Sequence, residues 1–155
     1  MPHLRLASPL GPLRLVSDGA ALTAVAFDGT APDESGASDG VLDAARRQLG
    51  AYFDGAPDAF DLPLRLEGTP FQRRVWAALL EVSHGTTVSY GALAARIGEP
   101  GAARAVGAAN GQNPLAIVVP CHRVVGAGGA LTGYAGGLDR KRALLGLENR
   151  QQSLF

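Results

Sequence analysis

The stretch Thr69-Pro70-Phe71-Gln72-Arg73-Arg74-Val75-Trp76-Ala77-Ala78-Leu79-Leu80-Glu81-Val82 divides the chain in two. Thr69 is suited to cap a helix and Pro70 to occupy its first position. Gln72 can reach back to the Thr69 amide and complete a capping box. Phe71, Val75, Leu79 and Val82 recur at helical spacing and His84-Gly85 is a stop, so the spacing predicts a helix running to about Val82. A second domain is expected to begin here, giving segments 1–66, 67–150 and a short tail, 151–155.

Upstream, Leu4-Arg5-Leu6 and Leu13-Arg14-Leu15 alternate around the turn signal Pro9-Leu10-Gly11-Pro12. Leu22-Thr23-Ala24-Val25-Ala26-Phe27 makes a third strand of an antiparallel meander. Residues 29–40 are rich in Gly, Ser, Pro and acid and read as a surface loop. Val41, Ala45, Leu49 and Tyr52 then predict a helix over residues 41–53 that packs one face on the sheet. Phe60, Leu62, Leu64 and Leu66 alternate as in a further strand or an extended linker. The fold class that follows is an α/β N-terminal domain, a small antiparallel sheet plus helix, ahead of a mainly α C-terminal domain with a short active-site strand.

Downstream, Ser89-Tyr90-Gly91-Ala92-Leu93-Ala94-Ala95-Arg96-Ile97 and Ala102-Ala103-Arg104-Ala105-Val106-Gly107-Ala108-Ala109-Asn110 flank the turn Gly98-Glu99-Pro100-Gly101. Helix, tight turn and small-residue helix is the signature of a helix-turn-helix, although a packed αα-hairpin without nucleic acid shares it. The second helix carries one long cation, Arg104. It offers little for reading base edges but can approach a narrow groove closely and insert a single side chain. Formal net charge is zero, yet residues 1–65 hold five arginines against nine acids, and residues 66–155 hold nine basic residues against five acids. Such asymmetry hints that the basic half meets a polyanion. No stretch approaches the roughly 18 apolar residues of a membrane span, and the N-terminus lacks a secretory apolar region, so a cytoplasmic protein is expected.

The apolar run Leu115-Ala116-Ile117-Val118-Val119 reads as a strand, and Pro120-Cys121-His122-Arg123-Val124 follows it. Cys121 is the only cysteine, so neither an internal disulfide nor a multi-thiolate metal site is open to it. Inert packing or chemistry remains. An adjacent imidazole and guanidinium can stabilise a thiolate, His122 can act as a base, and Glu148 can orient that imidazole. Neighbours on an extended strand point to opposite faces, so Cys121 and His122 cooperate only if the chain turns there or a water bridges them. Asn113-Pro114 is a turn-initiating pair, Tyr90 can be a packed ring near a helix start, and the Gly-rich residues 126–134 read as a wall to a site. His3 and His84 lie far apart without cysteine partners, so no metal is expected.

These residues have a known counterpart. The stretch from Thr69 to Glu148 resembles the catalytic domain of the O6-alkylguanine-DNA alkyltransferases (methylated-DNA–protein-cysteine methyltransferases). The first 65 or so residues resemble that family's variable N-terminal domain. Ile117-Val118-Val119-Pro120-Cys121-His122-Arg123-Val124-Val125 matches the family's active-site signature throughout, and Tyr90, Arg104, Asn113, Tyr134, Gly136, Lys141 and Glu148 keep its spacing. The resemblance implies that Cys121 takes the alkyl group of O6-alkylguanine, and of O4-alkylthymine, irreversibly in one turnover without a cofactor. It implies that His122 activates Cys121 through a water, that Glu148 orients His122, that Tyr90 gives a proton to the departing guanine, and that Asn113 braces the site. It further implies that Tyr134, Ala135, Gly136 and Val124 bind the substrate base. Ser89, Ala103, Arg104, Ala105, Gly107 and Asn110 would meet the DNA, with Arg104 filling the gap left by a flipped nucleotide.

Ala135 stands where some members have a serine, which removes a hydroxyl contact and bears on which alkyl groups are accepted. The N-terminal cysteines of zinc-bearing relatives have no counterpart in this sequence, so neither a structural zinc nor the cysteine-rich sensor domain of the transcription-activating relatives is expected. The tail Gln151-Gln152-Ser153-Leu154-Phe155 resembles the short peptide with which bacterial replication and repair proteins dock on the replication sliding clamp, although five residues make a weak match and a frayed or self-packed end is the simpler reading. The expected partner is double-stranded DNA containing alkylated guanine, met by a monomer, with no membrane. Two other readings of the chain are a non-catalytic sensor of alkylated bases, which normally replaces the cysteine, and a cysteine hydrolase, for which no oxyanion-hole motif is visible.

Overall fold

Three short strands and one helix are what the alternating N-terminal leucines build. The computed structural model describes residues 2–27, 39–57 and 59–153. Strands β1 (His3–Leu6), β2 (Leu13–Ser17) and β3 (Leu22–Phe27) form an antiparallel sheet in the order β1-β2-β3, with Leu4 opposite Leu15 and Leu13 opposite Phe27. The period of two turns Leu13, Leu15 and Ser17 of β2 to the interior. Ser17 is a polar residue with no exposed surface, and its hydroxyl is satisfied by donating to Asp39 Oδ2 at 2.7 Å and accepting from the Gly19 amide at 2.8 Å. The other carboxylate oxygen of Asp39 accepts from the Leu42 amide at 2.8 Å and so caps α1 (Gly40–Phe53). Leu42, Ala45, Leu49 and Tyr52 are the buried stripe of α1, with Leu42 in the place expected of Val41. Of the loop expected at 29–40, all but the last two residues lie outside the described residues.

The segment from Phe60 to Leu66 is extended but is not a strand. Pro63 has no amide to donate, and the only pairing among the described residues is a bridge from Leu64 to Leu22, made by Leu22 N to Pro63 O at 2.8 Å and Arg65 N to Leu22 O at 3.0 Å. Residues 1–66 form one compact unit together with Pro114–Val118. The Val25 amide donates to Pro114 O at 2.9 Å, and the Ala116 amide donates to Val25 O at 3.0 Å.

The strand expected over 115–119 stops after this single bridge. The Val118 amide folds back on Ala116 O at 2.8 Å around Ile117, which sits at φ 72°. That geometry is a γ-turn of the positive-φ kind, rare and strained, and it is an outlier for a β-branched residue. Backbone groups that a ladder would have paired are satisfied here by tight local turns. Packing holds the strain, because Ile117 is 1% exposed.

The second unit comprises residues 67–113 and 119–155. Its first helix, α2 (Pro70–Leu79), carries both halves of the capping box: Gln72 N donates to Thr69 Oγ1 at 3.1 Å, and Thr69 N donates to Gln72 Oε1 at 2.9 Å. Gly68 is required beside the box, because a Cβ there would lie 2.6 Å from Gln72 Oε1 and 2.7 Å from the Trp76 ring. The helix ends at Leu79 rather than Val82, where the chain tightens into turns such as Val82 N to Leu79 O at 3.0 Å; Val82 is buried all the same.

Two-residue strands β4 (Val88–Ser89) and β5 (Val124–Val125) pair in parallel. Helices α3 (Tyr90–Arg96) and α4 (Ala103–Gly111) form the helix-turn-helix, with Gly98 at φ 81° in the turn. Both pack against α2, where Trp76 Nε1 donates to Ala109 O at 2.9 Å, and Arg74 joins Glu99 at 2.9 Å as well as Ile97 O. Helix α5 (Leu138–Ser153) closes the chain, so Gln151, Gln152 and Ser153 continue a helical backbone, while Leu154 and Phe155 lie outside the described residues. No helix among the described residues is long and apolar enough to cross a membrane.

The strain at Ile117 has a testable signature. Ile117→Ala and Ile117→Gly both lose a buried side chain, at about 2–5 kcal/mol. Glycine is ordinarily the less stable of the two by about 0.5–1 kcal/mol. At position 117 the order is expected to reverse by about 1 kcal/mol in urea unfolding, because only glycine accepts the positive φ without penalty.

Candidate active site

Cys121 opens a single 3₁₀ turn, Cys121–Arg123, entered through Pro120 at φ −81° and ψ 63°. The Cys121 amide donates to Val119 O at 2.8 Å and the Arg123 amide to Pro120 O at 3.0 Å, so the chain turns where two neighbouring side chains must cooperate. The alternation that would have sent Cys121 and His122 to opposite faces does not apply. Two asparagines clamp the turn: Asn113 Nδ2 donates to Val119 O at 2.8 Å, and Asn110 Nδ2 donates to Cys121 O at 3.2 Å. Asn113 also hydrogen-bonds the Cys121 side chain.

His122 has no exposed surface and Glu148 is 1% exposed. His122 Nε2 lies 2.7 Å from Glu148 Oε2, and Arg123 forks onto the same carboxylate, Nε to Oε1 at 2.8 Å and Nη2 to Oε2 at 3.1 Å. Arg123 Nη1 reaches Val82 O at 2.7 Å, and the Gly85 amide approaches Glu148 Oε1 at 3.4 Å. Burial by itself would raise the Glu148 carboxyl, but the hydrogen bonds and charges of His122 and Arg123 together outweigh it and hold the group well below the usual carboxylate range. An ionised carboxylate only accepts, so Nε2 of His122 carries the proton. Burial, which outweighs the pull of Glu148, keeps the imidazole below its ordinary value and therefore neutral. Its lone pair is then on Nδ1, which is buried and has no hydrogen-bond partner among the described residues. That atom is a base with a fixed tautomer.

The thiol is not activated at rest. Burial pushes Cys121 up, more than the Asn113 hydrogen bond and the Lys141 charge pull it down. The expectation that the flanking imidazole and guanidinium would hold a thiolate is corrected: His122 is neutral, and Arg123 is committed to Glu148 and Val82. The cation that favours the thiolate is Lys141. Its side chain has no exposed surface, its ammonium donates to Val124 O at 2.6 Å and Thr132 O at 2.8 Å, and burial lowers it.

The other expected site residues fall into two groups. Tyr90 is half-buried with its hydroxyl 2.8 Å from Thr132 Oγ1, and Tyr134 has a buried hydroxyl with no hydrogen-bond partner among the described residues, its phenol raised by burial and then by the nearness of Cys121. Ala135 is exposed. Gly136 is half-buried and its carbonyl accepts from Arg140 at 3.2 Å. Val124 is wholly buried and its carbonyl already serves Lys141.

On the helix-turn-helix, Arg104 and Ala105 are exposed, Ala103 and Gly107 are half-buried, and Ser89 caps α3 by accepting from Ala92 N at 3.0 Å. Asn110 departs from expectation. At 4% exposure it faces the nucleophile turn rather than solvent, because it lies on the same inward stripe of α4 as Val106 and Ala109. No group of three or more His, Cys, Asp or Glu among the described residues could hold a metal ion.

Residues 70–150 match the family described as 6-O-methylguanine DNA methyltransferase, DNA binding domain, and residues 5–66 match its ribonuclease-like domain. The methylated-DNA–protein-cysteine methyltransferase of Mycobacterium tuberculosis is 53% identical, over 96% of this chain and 93% of that protein. The protein of that name in Methanosarcina acetivorans is 50% identical, over 91% and 94%. Mycobacterium tuberculosis OGT, solved in complex with DNA, superposes with a TM-score of 0.88 at 52% identity, covering 96% of this chain and 93% of that one. The chain belongs to the 6-O-methylguanine DNA methyltransferase family.

The buried triad sets a pH dependence of stability. The folded chain holds His122 below 6.5, so the unfolded chain binds that proton more tightly; the contribution is full above about pH 6.5 and declines as pH falls. Glu148 is held below 4.5, and its contribution is full above that value and lost as pH falls through the folded value. Urea unfolding between about pH 8 and about pH 4 is expected to show a plateau and then a decline of up to about 1.4 kcal/mol per pH unit for each group. Glu148→Gln is expected to destabilise by about 3–5 kcal/mol at neutral pH and to remove the steepening below 4.5.

Proposed function

We propose that this protein is a single-turnover DNA repair transferase that moves the alkyl group of O6-alkylguanine, and of O4-alkylthymine, onto Cys121. The observation that carries the assignment is the buried neutral His122, with its tautomer set by Glu148 and its Nδ1 open, next to a buried protonated thiol. His122 Nδ1 takes the thiol proton, through a water, as the sulfur attacks the alkyl carbon. The S–C bond forms as the C–O6 bond breaks. Tyr90 passes its proton to the departing guanine and is restored by the proton that left Cys121, so the net transfer is from thiol to base. The product is a stable thioether, and no group in this scheme regenerates the thiol.

A base in a duplex cannot reach a sulfur this buried, so the lesion must be flipped out, at about a few kcal/mol. The small residues of α4, exposed Ala105 with half-buried Ala103 and Gly107, suit close approach to the minor groove, and exposed Arg104 is the side chain to occupy the vacated stack. Tyr134, Ala135, Gly136 and the Val124 carbonyl are assigned to the flipped base. Residues 67–150 carry DNA binding and chemistry, in a monomer of the cytoplasm.

The direct test is intact mass after incubation with a double-stranded oligonucleotide containing O6-methylguanine. One added methyl group per chain, abolished in Cys121→Ala, is the expected result. Tight DNA binding without an adduct would instead mark a lesion sensor, and repeated turnover of an acyl ester would mark a hydrolase.

The tail Gln151-Gln152-Ser153-Leu154-Phe155 is further assigned to the replication sliding clamp, on its two apolar anchors after a glutamine. Deleting these five residues is expected to abolish clamp binding while leaving methyl transfer to free oligonucleotides intact. Unchanged clamp affinity would dispose of the assignment.

A further inference from the structure

Thr132 is a residue that neither the sequence motif nor the catalytic scheme uses, yet three contacts converge on it. Its Oγ1 lies 2.8 Å from the Tyr90 hydroxyl. Its carbonyl accepts from Lys141 Nζ at 2.8 Å, and the same ammonium holds Val124 O at 2.6 Å, three residues past Cys121. A Cβ placed at Gly126 would come within 3.2 Å of the Thr132 Cγ2, so that methyl sits directly over the chain leaving β5, in a loop closed by Gly126 N to Ala130 O at 2.8 Å. A β-branched side chain is stiff at χ1, and here one rotamer places the methyl on Gly126 and the hydroxyl on Tyr90. The buried lysine thus spaces the Tyr90 hydroxyl relative to the nucleophile turn.

We infer that Thr132 is a positioning residue for alkyl transfer, whose hydroxyl donates to the Tyr90 phenol oxygen and thereby turns the Tyr90 proton toward the leaving base. The inference rests on the assignment of Tyr90 as proton donor. Each hydroxyl has one proton to give. If Tyr90 donated to Thr132, its proton would be spent inside the protein, so delivery to guanine requires Thr132 to be the donor of this pair. No proton leaves Thr132 in the reaction. The Tyr90 O–H bond breaks, its proton goes to the base, and the charge that develops on the phenol oxygen strengthens the hydrogen bond from Thr132 until the proton from Cys121 replaces it. An interaction that strengthens only as charge develops raises the rate of transfer rather than the affinity for DNA.

Single-turnover kinetics on an O6-methylguanine duplex separate the two quantities. Thr132→Val is expected to slow transfer at saturating DNA by about tenfold or more, with the half-saturating DNA concentration unchanged within about twofold. Thr132→Ser, which keeps the hydroxyl and loses the methyl, is expected to restore the rate. In a Tyr90→Phe background Thr132→Val is expected to cost nothing further. Equal losses with and without the Tyr90 hydroxyl, or failure of serine to rescue, would show that Thr132 acts through packing and would overturn the inference. A slow Tyr90→Phe beside an undiminished Thr132→Val would sink the inference about Thr132 alone. A fully active Tyr90→Phe would sink the assignment of Tyr90 and this inference with it.

Discussion

The carboxylate of Glu148 is the constraint on which the reactive centre hangs. A buried anion is costly unless its lone pairs are taken, and here they are taken by His122 and by both arms of Arg123. Through those bonds α5 holds the nucleophile turn, and the third nitrogen of Arg123 extends the hold to the chain after α2 at Val82. The same carboxylate decides which nitrogen of His122 is a donor and which is a base. Structural and chemical roles are therefore inseparable at this residue: loosening the anchor also loses the tautomer.

Around that anchor the backbone is arranged to present one sulfur and to leave it quiet. The chain passes through a strained turn at Ile117 and a second three-residue turn at Pro120 before the 3₁₀ turn at Cys121. Amide nitrogens of Asn110 and Asn113 take the carbonyls that these turns leave without ladder partners. Burial keeps the thiol protonated, so it is a poor target for adventitious oxidants, which attack thiolates. In the proposed reaction, reactivity depends on a base one residue away and on a substrate that brings its own leaving group. Under the proposed single-turnover reading, a thiol that stays inert until the reaction suits a protein used once.

Much of this was legible in the chain because it is local. The capping box at Thr69 and Gln72, the three alternating strands, the stripe of α1 and the helix-turn-helix punctuation at Gly98 each depend on residues a few positions apart, and local sterics and hydrogen bonding decide them. The apolar run at 115–119 misled for the opposite reason. Five apolar residues suit a strand or a buried turn equally, and only the supply of backbone partners, a single bridge at Val25, settles which forms. Asn110, set against DNA by the family resemblance, is instead buried once its helix is docked, a matter of packing that no local pattern records.

Sequence by itself marked out Cys121, His122 and Glu148 as the candidate nucleophile, base and orienting acid, with the helix-turn-helix beside them, because motif chemistry and helix punctuation are written in neighbouring residues. Tertiary structure alone decided the state of those groups. Whether Cys121 rests as thiol or thiolate, which nitrogen of His122 is open, whether Arg123 serves the sulfur or the anchor, and that Lys141 and Thr132 join the site at all follow from burial and from contacts up to 63 residues apart in the chain. Desolvation and hydrogen-bond geometry set protonation states, and neither exists until the chain has folded.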